Sequence, residues 1–120
     1  GQLRERLDVA RLSWTLSTPA AAVGAHCLQD IEFVEETKCR VRNERERMAD
    51  RLADRFTVTP SEAPFLLLET DHPAAEVVDE ARAEGIVIRD ATTFRGLDSH
   101  VRVAVKREHE NDQLLAALGV

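Results

Sequence analysis

Residues 86–106 read IVIRDATTFRGLDSHVRVAVK. Two apolar runs of strand-forming residues flank a loop containing Gly96, and each carries an arginine: Arg89 at the exit of the first and Arg102 inside the second. Successive side chains in a strand point to opposite faces. Val101, Val103 and Val105 therefore share one face, while Arg102 and Ala104 share the other, so Arg102 need not enter an apolar core. If strands 86–89 and 100–105 pair as neighbours, their guanidinium groups converge near one end of the sheet. A strand arginine commonly lies on a solvated face or pairs with a carboxylate, and Asp90 and Asp98 are the nearest candidates. A pair of arginines flanking a glycine-containing loop also suits an anion site, because each presents a planar fork matching carboxylate or phosphate.

Outward from this stretch the pattern continues in both directions. Residues 108–118 form a helix with Leu114, Leu115 and Leu118 inward. Upstream, Pro73 opens a helix over 73–84 with Val77, Val78 and Ala81 on its inner face, and Gly85 ends it in the left-handed position. FLLLE at 65–69 reads as a buried strand, preceded by a Pro60–Pro64 turn and a strand at 56–59. The longest periodic segment runs from Asp30 to about Arg55, with Ile31, Val34, Val41, Met48 and Leu52 as an apolar stripe. Lys38 and Arg45 interrupt any coiled-coil seam there. Ser17 or Thr18 caps a helix that begins at Pro19, and Gly24 within it suggests a close packing contact. Leu3, Leu7 and Ala10 place a further helix over 2–11. The expected fold is α+β: a small sheet of three to four strands, covered by helices on one side and preceded by a long helix.

The bulk properties narrow the function. A chain of 120 residues, 43% hydrophobic, is one domain or a piece of a larger one. Its formal charge of −6 argues against nucleic acid or an anionic membrane as partner. No run of about 18 apolar residues is present, and the N-terminus lacks the apolar centre of a secretory signal, so the chain reads as cytoplasmic. It begins in charge-rich helix, as expected of a segment cut from something longer. Cys27 and Cys39 are too far apart along a helix to bridge, roughly 18 Å, and are expected as buried or half-buried thiols. His26 beside Cys27 has no further ligands at metal-binding spacing. Neither a nucleophile elbow, a phosphate loop nor a zinc-binding helix motif occurs. Lys38 has a charged surrounding, unlike the desolvated pocket a reactive lysine needs.

Several segments, in order, resemble a known family. GIVIRD (Gly85–Asp90), VRVAV (Val101–Val105) and ENDQLL (Glu110–Leu115) look like the C-terminal end of pyridoxal-phosphate-dependent aminotransferases of the histidinol-phosphate aminotransferase group, which includes threonine-phosphate decarboxylases. RLSWTLSTPAAAVG (11–24) and SEAPFLLLE (61–69) are similar to two earlier segments of that group. Lys106 stands where the family often has glycine, and Pro64 where it has asparagine.

The resemblance implies that residues 1–120 are the small C-terminal domain of a fold-type I enzyme, with about 18–55 as the interdomain helix region. It implies that Arg102 grips the anionic group of the substrate and that Arg89 assists. The substrate would be a small anionic amino compound or 2-oxo acid. The cofactor, pyridoxal phosphate, would belong to the parent, since the lysine, aspartate and phosphate-binding residues that anchor it lie upstream of this segment. The chain alone would be inactive; its partners would be the large cofactor-binding domain and, in the parent, a second subunit. The competing expectation is a stand-alone α+β binding or dimerisation module whose arginines form structural salt bridges.

Overall fold

The computed structural model describes Arg6, Val9 and residues 16–120. Apart from Arg6 and Val9, the helix expected over 2–11 lies outside the described residues. The chain divides into two compact units, Gly1–Glu35 and Glu36–Val120.

In the first unit, helix α1 spans Thr18–Cys27 and none of its residues is buried. Its N-cap is Ser17, whose hydroxyl accepts from the Ala20 N–H at 3.4 Å. Gly24 meets no atom within 4 Å of a built Cβ, so the close contact expected there is not found among the described residues. The chain breaks at 28–30 and restarts as α2, Ile31–Leu52. Asp30 decides the restart, because its carboxylate accepts from the Phe33 N–H at 3.1 Å. The upper part of the expected apolar stripe is not buried: Ile31 is exposed, and burial begins at Arg45, Met48 and Leu52.

The second unit holds the sheet. Strands β1 (Thr57–Thr59), β2 (Phe65–Glu69), β3 (Arg89–Asp90) and β4 (His100–Ala104) lie in the order β1-β2-β4-β3, all neighbours antiparallel. Helix α3 (Ala74–Ala83) joins β2 to β3, and α4 (Glu108–Ala117) follows β4. Alternation does the sorting. Leu66, Leu68, Val101 and Val103 turn to the helices and are buried with Met48, Leu52, Val77, Ala81, Leu114 and Leu115. Each of the leucine, valine and methionine side chains among them contributes about 1.5–3 kcal/mol on leaving water. The helices supply this one layer, so the other face of the sheet is left open, as expected for the α+β arrangement.

One element differs from the sequence expectation. The ladder at β3 begins at Arg89, where the expected strand 86–89 was to end. Ile86 is drawn back by α3 instead: its N–H bonds the Ala81 carbonyl at 2.9 Å, and the Gly85 N–H bonds that of Arg82 at 2.9 Å. These two bonds, with Gly85 at φ 78°, are the glycine-terminated cap that stops the helix.

Candidate anion site on the open sheet face

The open face is built from the outward residues of the four strands. Register places Thr59 opposite Leu67, Leu67 opposite Arg102, and Arg102 opposite Arg89, so these four form one rung across the sheet. Arg89 and Arg102 therefore share a face as directly opposed residues, with Cα atoms about 5 Å apart in an antiparallel pair. The next rung along this face holds Thr57, Glu69 and His100. The buried Nδ1 of His100 has no hydrogen-bond partner among the described residues.

Neither arginine forms an ion pair among the described residues, although four other arginines do: Arg45, Arg47, Arg55 and Arg82. Asp90, the nearest acid in sequence, is otherwise engaged. Its Oδ1 accepts from the Thr92 N–H at 2.8 Å and from the Thr92 hydroxyl at 2.7 Å. Those two bonds, with the nearby charge of Arg89 adding a little, hold the Asp90 carboxyl below its ordinary pKa. The arginines contact rings instead. The Arg102 Cζ lies 5.0 Å from the centre of Phe65, and the Arg89 Cζ lies 5.7 Å from the centre of Phe94. Sequence reasoning missed both phenylalanines. The signal for Phe65 was available in principle, since it occupies the same outward parity of β2 as Leu67. Phe94 sits in the loop after β3, where no periodicity points to it.

A second polar cluster joins α2 to the start of α4. Asn111, 1% exposed, accepts from the Lys106 N–H at 2.9 Å and donates to the Glu44 carboxylate at 2.7 Å and the Lys106 carbonyl at 3.2 Å. Arg47 bridges Glu44 and Asp112, each at 2.8 Å. Its bond to Glu44, helped by Asn111 and opposed by burial, sets the Glu44 carboxyl below its ordinary value. The Asn111 amide, the Glu44 carboxylate and the Arg47 guanidinium nitrogens all have protein partners, which marks a structural joint.

The structure also bears on cofactor and metal chemistry. A lysine that anchors a carbonyl cofactor needs a desolvated or cation-flanked pocket. Lys38 is exposed on α2, and Lys106 is exposed and paired with Glu110 at 3.1 Å. Neither lysine is desolvated. The described residues contain no cluster of metal-ligating side chains. Cys27 and Cys39 are free thiols, as expected, but both are exposed where burial was expected: α1 buries nothing, and Cys39 lies on the outer side of α2. No helix among the described residues is long and apolar enough to cross a membrane.

Comparison with known proteins adds the wider setting. The family described as aminotransferase class I and II matches residues 3–118. Histidinol-phosphate aminotransferase 1 of Archaeoglobus fulgidus is 37% identical over 109 residues, covering 91% of this chain and 34% of that protein. Among solved structures, histidinol-phosphate aminotransferase from Sinorhizobium meliloti, in complex with pyridoxal-5'-phosphate, superposes with a TM-score of 0.76 at 25% identity, over 95% of this chain and 32% of that one. L-threonine-O-3-phosphate decarboxylase from Porphyromonas gingivalis gives a TM-score of 0.55 at 32% identity, over 65% of this chain and 26% of that one. The chain thus spans about one third of the length of the curated relatives it matches.

Proposed function

The chain belongs to the aminotransferase class I and II family, with the α+β fold of the small domain of fold-type I aminotransferases, and from that premise we propose that it is the substrate-anion-binding domain of a longer pyridoxal-phosphate enzyme. In this reading residues 1–120 are the C-terminal small domain, with about 18–55 as the interdomain helix region. The parent is a cytoplasmic homodimer that transaminates or decarboxylates a small phosphorylated amino compound or its 2-oxo acid partner. The large domain of the same protein supplies the cofactor seat.

The observation that carries the reading is the rung itself. Two arginines stand directly opposed in register on an open sheet face, and neither forms an ion pair among the described residues. The stand-alone module predicted structural salt bridges at these positions; the ion pairs of the described residues lie elsewhere. Planar forks with their donors uncommitted are suited to accept a carboxylate or phosphate in paired, charge-assisted hydrogen bonds.

When bound in the parent, pyridoxal phosphate supplies the electron sink for the chemistry at the amino carbon. What Arg102 and Arg89 contribute is orientation. By gripping the remote anion, they fix where the reacting carbon stands, and correct placement is itself a large part of the rate. Arg102, between two strands and half-buried, is the principal donor, and Arg89 on the edge strand assists.

The test uses the full-length protein that carries this segment. Arg102→Ala should raise KM for the anionic substrate about 10- to 100-fold, the loss expected for a charge-assisted pair. Arg89→Ala should give a smaller rise. An unchanged KM in Arg102→Ala removes the proposed role. Mixed with pyridoxal phosphate and borohydride, the isolated chain should take up no cofactor label at a unique lysine; stoichiometric labelling at Lys38 or Lys106 contradicts the assignment of the seat to the large domain.

A further inference from the structure

The rung of opposed arginines poses a physical difficulty. Like charges directly opposite one another destabilise a sheet, and no described carboxylate forms an ion pair with either arginine, although Asp90 lies close enough to Arg89 for a weak attraction. Each guanidinium instead lies against its own ring. Phe65 comes from β2, on one flank of β4: it pairs with Ala104, two residues from Arg102, which is the diagonal position an aromatic side chain reaches. Phe94 comes from the loop leaving β3, on the other flank. That loop is folded by its own backbone, with the Phe94 N–H bonded to the Ala91 carbonyl at 2.9 Å and the Leu97 N–H to that of Phe94 at 3.2 Å. The rings are 37% and 46% exposed, so each is more than core filling that happens to touch a charge.

We infer that Phe65 and Phe94 are positioning residues of the anion site, each holding one guanidinium plane on its π face so that both arginines are set before an anion arrives. This rests on the anion-binding reading above and goes beyond it. The physical basis is the geometry of arginine. All five N–H donors lie in the guanidinium plane, so contact through the face of the group leaves every donor free for an oxygen acceptor. The negative ring face also offsets part of the repulsion between the two cations. Each group rests on its own ring, and a ring contact leaves its charge in place. A carboxylate in either place would have neutralised its arginine and competed with the ligand. A ring does neither.

The experiment uses the full-length protein and three readouts: binding of inorganic phosphate, the KM against kcat split for the anionic substrate, and the arginine Nε–H signals of 15N-labelled protein. Phe65→Leu and Phe94→Leu keep apolar bulk and remove the π face. Each should weaken phosphate binding and raise KM about two- to five-fold, leave kcat nearly unchanged, and shift only the Nε–H signal of its own arginine. Phe94→Tyr should restore the wild-type values. If both leucine variants bind phosphate normally while Arg102→Ala does not, the positioning role is wrong and the anion site stands. If Arg102→Ala also binds phosphate normally with an unchanged KM, the anion site itself fails, and the role of the rings falls with it. Leucine variants that lower thermal stability and kcat together, without moving the Nε–H signals, assign the rings to the fold instead.

Discussion

Asn111 shows what a single side chain can hold. It is buried, and its amide joins three groups from two segments: the carboxylate of Glu44 and both the N–H and the carbonyl of Lys106. Removing it leaves those groups short of partners in a place water does not readily reach. Asn111→Ala should therefore cost about 2–3 kcal/mol, read as a lowered urea midpoint at unchanged slope. A change below about 0.5 kcal/mol, the range of ordinary surface substitutions, means that water replaces the amide and the joint is not what fixes α4. Glu44 in the same cluster makes a pH prediction. Its folded pKa lies below the ordinary 4.5, chiefly through its bond to Arg47. A depressed carboxyl stabilises the fold above its unfolded pKa, and that contribution is lost as pH falls through the folded value. Glu44→Gln should be less stable than wild type at pH 7, and the two urea midpoints should converge as pH falls from the ordinary glutamate value through the depressed folded one. A gap that stays constant as the solution is acidified rules out the linkage.

At the scale of elements, α3 ends where the backbone of Gly85 permits. The residue sits at φ 78°, and nothing lies within 4 Å of a built Cβ, so Gly85→Ala meets only conformational strain. The expected cost is about 1 kcal/mol, with Gly85→Asn recovering part of it because asparagine tolerates the left-handed region better. An alanine variant as stable as wild type shows that the cap can rearrange. The same cap explains what could and could not be read from the sequence. Period-two alternation in HVRVAV put Arg102 opposite the valines, and the structure agrees, because alternation is a local property of a strand. Glycine at the helix end was equally local. The start of β3 was not: IVI has strand composition, but the cap bonds draw Ile86 toward α3, and composition carries no record of that competition. Phe94 and Asn111 were missed for a related reason. Their partners are fixed by loop closure and by helix packing across 67 residues for Asn111 and Glu44, and no spacing rule reaches so far.

Across the whole molecule, stability and exposed apolar surface are unevenly distributed. Every core residue from Met48 to Leu118 belongs to the unit Glu36–Val120. Leu16, Val23, Leu28, Ile31 and Phe33 belong to the unit Gly1–Glu35, and each is at least 61% exposed. A chain that presents several large apolar side chains along one short segment is prone to associate through them, while a sheet closed by three helices has its hydrophobic layer already covered. Residues 36–120 alone should therefore unfold in one cooperative urea transition, at a midpoint close to that of residues 1–120. In sedimentation they should stay monomeric at concentrations where residues 1–120 associate. Replacing Leu28, Ile31 and Phe33 together by glutamine should suppress that association without moving the midpoint, because none of the three contributes to the core. Loss of cooperative unfolding on removing residues 1–35 contradicts the placement of the core. A monomeric 120-residue chain over the same range shows instead that its apolar side chains are too dispersed to act as a patch.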